Sequence, residues 1–424
     1  MTRTAVLGAG ALGLTVALRL AQRGDEVVVL ERERLPGGLA SGFEVEPGIY
    51  LDRFYHHLFA SDRHAIALIN ELGLGKQLIW RRPLTVTLRH GRVYQLDSPM
   101  SLLRFRPIPI RARLRMGVWL AYLRLLSSPD RFEGQTAAAW IERRMGRRAY
   151  DVVWGPLLRG KFGDLADQIA MPWFWARVHD RTASLGYLRG GFQRLYDRLA
   201  ERVRELGGDL RFETEVTAIR TVPGGMEVVT AEQTFVVDRV ISTLAVRLTC
   251  RLTPELSEVY RRKHDWGTAY GAHCLVLALD RPLTQSYWMN VNDPGFPFMA
   301  LVEHTNYMAP DDYGGRHLLY LGNYRPMDDP LLRMTAPEVL AEFAPALARI
   351  NPAFSPDWVT DAWSFAAPFA QPIVTVEYRS HIPPFETPLP GLWVASMFQV
   401  YPHDRGQNYS IDLADRLVME MGRS

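Results

Sequence analysis

The feature that most constrains this fold is a glycine-rich turn close to the N-terminus. The apolar run at residues 4–7 ends in Gly8-Ala9-Gly10-Ala11-Leu12-Gly13, and an apolar helical pattern follows to residue 21. Gly8 permits a tight turn, Gly10 lets the backbone approach a pyrophosphate, and Gly13 lets the helix pack on the strand. The first helical residues, Ala11 and Leu12, would offer free N–H groups and the helix dipole to the phosphates. The pattern predicts a dinucleotide-binding strand, turn and helix.

An acidic residue follows at the spacing that this kind of site requires. A second apolar run at residues 26–30 ends in Glu31, eighteen residues after Gly13. A carboxylate at this position is expected to bond the hydroxyls of the adenosine ribose. Glu31 therefore favours FAD or NAD over a nucleotide with a 2′-phosphate.

Composition limits the remaining classes of protein. A chain of 424 residues is too long for one compact core, so two domains are expected. The net charge of +3 gives no general argument for nucleic acid, and two cysteines cannot form a metal cluster. We expect no cleavable signal peptide, and the most membrane-like stretch, residues 116–126, contains Arg124 and is short for a membrane span. A cytoplasmic location is expected.

A second glycine pair directly after the ribose acid points to flavin. Glu31 is followed by Arg32, and the segment Gly37-Gly38-Leu39-Ala40 comes shortly afterwards. This segment resembles the one that lies along the FAD diphosphate in the superfamily of amine oxidases, protoporphyrinogen oxidases, phytoene desaturases and UDP-galactopyranose mutases. The resemblance implies FAD as the cofactor, with these residues among its ligands.

Further segments match the same superfamily at the expected positions. Val216, on an extended run after a Gly190-Gly191 helix, would place its backbone against the adenine. Thr243 would end a β-meander close to FAD. The last helix opens with Gly406, and its next residues would face the flavin pyrimidine ring: Gln407, Asn408 and Tyr409. The acid that usually follows the last strand is missing at residues 396–398, and Asp404 is the candidate replacement.

The resemblance also predicts the fold class and the domains. We expect an α/β fold in which a Rossmann-type FAD-binding domain with a β-meander is interleaved with an α+β substrate-binding domain. The FAD-binding domain would comprise residues 1–80, 189–264 and 366–424. The substrate-binding domain would comprise residues 81–188 and 265–365.

Candidate catalytic residues come from four segments. His56 and His57 lie in an aromatic run where superfamily members pass the flavin ring, and imidazole can exchange protons near neutral pH. Interior histidines bonded to the backbone are the alternative. Glu303 and His304 follow an apolar run and are a candidate acid and base, unless the junction is simply exposed. Tyr401 lies in the loop that, by the resemblance, precedes the flavin helix, and FAD binding alone is the alternative explanation for that loop.

Lys161 is one of only three lysines in the chain, and it lies in a segment at residues 154–163 that the pattern indicates as a loop. It could bind an anionic group or hold a water near flavin N5. An ordinary surface lysine is the alternative that the sequence favours.

Six arginines between Arg104 and Arg124 are interleaved with apolar residues. Such a basic amphipathic segment can lie on an anionic membrane or guide a lipid substrate, although a solvated helix face is more common. We therefore expect a small-molecule or lipid-linked substrate and no nucleic acid, with peripheral membrane contact as an alternative. The oligomeric state stays open.

Three functions fit these observations. The first is an FAD-dependent oxidoreductase that takes hydride from a C–N or C–C bond onto flavin N5. The second is a redox-neutral mutase of the UDP-galactopyranose mutase type, which would need arginines to hold a sugar nucleotide. The third is a binding protein without flavin, similar to the GDP-dissociation inhibitors, and the intact glycine turn with Glu31 argues against it.

Overall fold

The computed structural model describes residues 1–126 and 128–422. Within these residues the strands are β1 (Arg3–Leu7), β2 (Glu26–Leu30), β3 (Gly42–Glu46), β4 (Ile49–Asp52), β5 (Leu58–Phe59), β6 (Leu78–Arg81), β7 (Thr85–Arg89), β8 (Arg92–Gln95), β9 (Leu185–Leu188), β10 (Asp209–Arg211), β11 (Val216–Val222), β12 (Gly225–Thr230), β13 (Thr234–Val237), β14 (Arg239–Ser242), β15 (Ala269–Leu279), β16 (Trp288–Val291), β17 (Ala300–Glu303), β18 (His317–Arg325), β19 (Val359–Pro372) and β20 (Leu392–Val394).

The helices of the same residues are α1 (Ala11–Gln22), α2 (Arg63–Glu71), α3 (Pro99–Arg104), α4 (Ile110–Leu125), α5 (Ala137–Met145), α6 (Arg147–Ala149), α7 (Gly155–Phe162), α8 (Met171–His179), α9 (Gln193–Glu205), α10 (Val246–Leu252), α11 (Glu258–His264), α12 (Ala336–Ile350), α13 (Tyr378–His381) and α14 (Gln407–Met421).

A five-stranded sheet, built entirely from parallel pairs, contains the predicted nucleotide-binding unit. Its strand order is β10-β2-β1-β14-β20, so β1 lies at the centre. The strands β1 and β2 are buried over four of their five residues, as expected of a sheet covered on both faces. The meander β11-β12-β13 covers one face through Ile219, Met226 and Val228. This arrangement confirms the predicted α/β class with a Rossmann-type sheet.

Backbone contact fixes the first turn. Gly8 has a φ of +102°, which disfavours any residue with a side chain. A Cβ atom on Gly13 would lie 1.9 Å from the carbonyl oxygen of Gly8, so only glycine lets α1 pack this closely on β1. The turn therefore sets where α1 begins.

A second, seven-stranded sheet lies beside the first, with the order β19-β15-β18-β17-β16-β7-β8. All eleven residues of β15 are buried, because α12 covers one face and the core shared with the parallel sheet covers the other. Helices α3–α8 form a separate core that includes Trp140, Phe162 and Trp173. The residue boundaries of the two domains stay a prediction.

The prediction of a loop at residues 154–163 is wrong, because most of this segment is helical. Residues Tyr150–Trp154 form a π-helical turn that continues into α7, which ends where Gly163 adopts a φ of +52°. Pro156 follows this π-helical turn, at the point where the hydrogen-bond pattern changes from π to α. Burial of Leu158 and Phe162 stabilises the helix in place of the loop.

The basic segment from Arg104 to Arg124 forms most of α3 and α4. Ile110, Leu114 and Val118 follow one another at four-residue spacing on α4 and are 50%, 54% and 66% exposed. No helix in the described ranges is long and apolar enough to cross a membrane. Peripheral membrane contact stays a prediction.

We predict that Gly13→Ala lowers the free energy of unfolding by about 3 kcal/mol, because the new methyl group collides with backbone that cannot move aside. Urea unfolding followed by circular dichroism measures this change. The matched control is Gly117→Ala in α4, where the added Cβ meets only a side-chain carbon of Leu102 at 3.5 Å. The free energy of unfolding of the control should rise by about 0.5–1 kcal/mol. Equal effects of the two variants would contradict the packing argument.

Candidate active site

Two glycine turns face each other at the start of α1. The N–H of Gly37 donates to the carbonyl of Ala9 at 2.8 Å, and Gly10 forms a parallel bridge with Gly37. A Cβ atom on Gly38 would lie 3.3 Å from the Cα atom of Gly10, so side chains here would fill the gap between the turns. Among the described residues, no side chain caps α1.

Glu31 lies at the end of β2, buried beside this turn. Its carboxylate accepts hydrogen bonds from the N–H of Ala9 at 2.7 Å and the N–H of Glu33 at 2.9 Å. Arg32 is exposed and pairs with Glu33 at 3.3 Å. The carboxylate is thus held next to the first turn, while the Arg32 side chain points to solvent.

Of the other predicted cofactor residues, Thr243 and Ala40 lie at the same turns, whereas Val216 packs against the core of the parallel sheet. Thr243 donates to the carbonyl of Leu7 at 2.7 Å and packs against Gly8. Val216 begins β11 in register with Thr230. Ala40 is buried in a short turn after Gly38, and Leu39 borders the adjoining cleft.

A cleft with about 1320 Å³ of empty space, partly open to solvent, begins at Leu39. Its walls come from residues 54–59, α8, the seven-stranded sheet and the start of α14. It brings together eight of the predicted residues, namely Leu39, His56, His57, Lys161, Asp404, Gln407, Asn408 and Tyr409.

The start of α14 forms one wall of this cleft. The side-chain oxygen of Asn408 accepts from the N–H groups of His64 and Ala65 at 2.9 and 3.2 Å, and that of Gln407 accepts from the hydroxyl of Tyr196 at 2.6 Å. These side chains hold α14 in place. At Gly406 no described atom lies within 4 Å of an added Cβ, so the backbone here is open to the cleft.

Lys161 is buried, so its interpretation as a surface lysine is wrong. Its ammonium lies 2.8 Å from the carboxylate of Asp404, which also lies 3.4 Å from the guanidinium of Arg177. Burial, together with the charges of Arg177 and Arg405, lowers the pKa of Lys161 to about 7 against the opposing effect of Asp404. Burial opposes ionisation of Asp404, but the surrounding cations outweigh it and lower its pKa.

Residues 13–403 match the flavin-containing amine oxidoreductase family. The chain belongs to this family. The match confirms the superfamily resemblance and implies a flavin cofactor. The facing glycine turns, the uncapped helix and the buried acid fit a flavin nucleotide.

Individual relatives of this family are distant. The chain is 22% identical over 249 residues to the Arabidopsis thaliana 15-cis-phytoene desaturase, a match that covers 51% of this chain and 42% of that enzyme. An Exiguobacterium sp. 255-15 protein, provisionally assigned as a protoporphyrinogen oxidase, has a similar structure with a TM-score of 0.78 and 19% identity over 99% of this chain and 98% of that one.

A reduced UDP-galactopyranose mutase has a TM-score of 0.77 and 15% identity, covering 100% of this chain and 96% of the mutase. At such identities the structural likeness shows the fold alone. It supports oxidoreductase and mutase architectures equally.

The two histidines line the cleft, but proton exchange near neutral pH is not expected of them. Burial, with the charge of Arg405, lowers the pKa of His56 to about 4, and burial, with Arg181, lowers that of His57 to about 3. The Nδ1 atom of His56 is buried and has no hydrogen-bond partner among the described residues. Both imidazoles are therefore neutral at pH 7 and can only donate or accept hydrogen bonds to a bound group.

Three predicted catalytic residues do not line the cleft. The carboxylate of Glu303 accepts from the N–H groups of Leu283 and Thr284, both at 2.7 Å, and burial raises its pKa to about 7. The alternative of an exposed junction after β17 is therefore wrong, because residues 283–284 cover the Glu303 carboxylate. Glu303 holds that loop to the sheet.

His304 is buried beside Tyr313, whose hydroxyl lies 2.7 Å from Nε2, and burial lowers the pKa of His304 to about 3. Tyr401 donates to the carboxylate of Glu133 at 3.0 Å. Because Glu303, His304 and Tyr401 lie outside the cleft, the structure does not bring them together with the other candidate catalytic residues.

Sequence reasoning missed Arg177, in the last turn of α8, and Asp180 and Arg181, which directly follow this helix. The carboxylate of Asp180 binds His403 at 2.7 Å and the hydroxyl of Tyr409 at 2.8 Å, which ties α8 to α14. No motif marks these residues. Helical spacing does not relate Arg177 to Arg181, because Arg181 lies beyond the last residue of α8.

We predict that Asp404→Asn destabilises the protein by about 3 kcal/mol, because it leaves buried cations without their carboxylate. Lys161→Met should lower the free energy of unfolding by less, because Asp404 would still pair with Arg177. Urea unfolding of both variants tests this order, with the exposed Glu232→Gln as a neutral control. A larger loss from Lys161→Met would contradict the role given to Asp404.

Proposed function

We propose that this chain is an FAD-dependent oxidoreductase that removes hydride from a C–N or C–C bond of its substrate. The observation that carries the proposal is the cleft that runs from Leu39, beside the paired glycine turns, to the open start of α14 at Gly406. When bound, FAD would supply a hydride acceptor at N5. The family match supports the flavin chemistry.

The residues of the chain would bind and orient the reactants. The glycine turns and the first turn of α1 would bind the diphosphate, and Glu31 would exchange its bond to Ala9 for the ribose. The N–H groups at the start of α14 would stabilise negative charge on the flavin. Lys161, with a pKa of about 7, can hold or release a proton near neutral pH.

Aromatic side chains would exclude water from this end of the cleft. Tyr55 packs edge-on against Trp288 at 5.1 Å, and both line the cleft with Tyr324. Aromatic side chains beside placed polar groups, such as Arg405 on the hydroxyl of Tyr324, are typical of a site that orients a substrate.

A redox-neutral flavin mutase is the second candidate, and one observation favours it. Arg177, Arg181 and Arg405 all line the cleft, which supplies the arginines that a sugar-nucleotide diphosphate would need. Such an enzyme would require its flavin in the reduced state.

The visible absorption spectrum of the purified protein tests the proposal. We expect flavin bands that bleach with anaerobic dithionite and return in air. Fast return would favour an oxidase, and slow return a dehydrogenase or the mutase. A colourless protein that does not take up FAD would reject both flavin functions and favour a binding protein.

Gly10→Val should remove most of the bound FAD while the chain stays folded. The space in front of Gly10 is open, with only the Cα atom of Gly38 near an added Cβ, at 4.0 Å. Valine would therefore occupy the place proposed for the diphosphate. FAD released by heat is quantified per chain, with Gly117→Ala as the control. A normal FAD content in Gly10→Val would contradict the proposed binding mode.

A further inference from the structure

The cleft carries an excess of positive charge at the end away from the glycine turns. Four cationic side chains line it, namely Lys161, Arg177, Arg181 and Arg405. The three acidic side chains that also line it are Asp62, Asp180 and Asp404. The balance of charge therefore depends on which of these acids face the cations.

Two of the three acids form their hydrogen bonds with groups other than these four cations. Asp180 binds His403, His179 and Tyr409, at 2.7, 3.0 and 2.8 Å. Asp62 accepts from the N–H of Phe59 at 2.8 Å, and burial raises its pKa to about 6. Asp404 is the acid that pairs with the cations, at 2.8 Å from Lys161 and 3.4 Å from Arg177, which leaves Arg181 and Arg405 without a carboxylate partner among the described residues.

Arg181 has no hydrogen bond or ion pair to any residue in ranges 1–126 and 128–422. Its guanidinium carbon lies 5.5 Å from the centre of the Phe59 ring, and it borders the cleft. Burial and the nearby charge of Arg177 lower its pKa to about 9. Holding an unpaired cation in such a place is costly, and a bound anion would compensate for it.

Arg405 adds a second unpaired donor. Its Nη2 donates to the hydroxyl of Tyr324 at 2.8 Å, while its Nε is buried and has no partner in the described part of the chain. Arg177 comes from α8, four residues before Arg181, and among the described residues Asp404 is its one acceptor at hydrogen-bond distance, at 3.4 Å. The three guanidinium groups thus converge on one cleft with few acceptors.

We propose that this cluster is a subsite for an anionic group of the substrate, a carboxylate or a phosphate, held by Arg181 together with Arg177 and Arg405. Guanidinium groups bind both kinds of oxyanion in a bidentate manner. The inference rests on the proposed function, because it names the substrate class of the same cleft. It excludes a substrate that presents only a cationic amine or a hydrocarbon chain at this end.

The FAD diphosphate is the other anion that the cluster could serve. Its proposed position is between Gly10 and Gly38, and neither glycine borders this cleft, whereas Leu39 does. The experiment below therefore measures FAD content beside anion binding.

Isothermal titration calorimetry of the purified holoprotein in phosphate-free buffer tests the subsite with four ligands of similar shape. These are benzoate, phenyl phosphate, benzyl alcohol and benzylamine. We expect both anions to bind about tenfold or more tightly than benzyl alcohol, and benzylamine to bind most weakly. Tighter binding of phenyl phosphate than of benzoate would identify a phosphate, and the reverse order a carboxylate.

Arg181→Gln should weaken anion binding about tenfold and leave FAD content and benzyl alcohol binding unchanged. Arg189→Gln is the control for net charge, since Arg189 is 62% exposed and lies outside the cleft. Equal affinity for all four probes, or no binding of the anions, would overturn the proposal. Loss of FAD from Arg181→Gln would also overturn it, by assigning this guanidinium to the cofactor.

The two proposals can fail separately. A colourless protein would reject the flavin function, yet calorimetry detects anion binding without any flavin signal. A protein with normal FAD that shows no preference for anions would reject the subsite alone.

Discussion

The structure depends on one backbone contact, the packing of α1 on β1 where Gly13 meets the carbonyl of Gly8. Because this contact leaves no room for a Cβ atom, it fixes the distance between helix and strand. That distance in turn places the uncapped first turn of α1 opposite the second glycine pair and beside Glu31. Each feature that would hold a nucleotide is therefore positioned by main-chain geometry rather than by flexible side chains.

A second constraint acts at the other end of the cleft, where charge is buried. Lys161 from α7, Arg177 from α8 and Asp404 from the segment before α14 meet although they are far apart in sequence. Removing such groups from water is costly, and one carboxylate offsets only part of the cost. A stability-driven core would avoid this arrangement, which is why we associate the excess charge with binding. The aromatic faces of Trp173 and Tyr324 near Lys161 give further partial compensation.

The sequence predicted the structure correctly where the interacting residues lie close together along the chain. Gly8, Gly10, Gly13 and Glu31 lie within one strand-turn-helix-strand unit, so spacing alone indicates their geometry. It failed at Glu303, because an acid after an apolar run looks the same whether it faces a pocket or is covered by another loop. The convergence of Arg177 and Arg181 with residues 404–409 has no local signal, since it depends on contacts between residues 173–180 and the distant segment 404–409.

Burial changed the chemistry expected of several residues without changing their place. His56 and His57 line the cleft as the resemblance implied, yet desolvation and neighbouring arginines keep them neutral. Lys161 was expected on the surface, but it lies in a buried ion pair with Asp404. In each case the identity of the residue was visible in the sequence, whereas its surroundings came from segments more than 100 residues distant.

The most direct test of this account is a crystal structure of the purified protein with its flavin bound. The account predicts density for the diphosphate between Gly10 and Gly38, and for the flavin ring in the cleft beside Gly406, with Arg181 facing open space next to it. Density for the nucleotide elsewhere, or a diphosphate paired with Arg177 and Arg181, would contradict it.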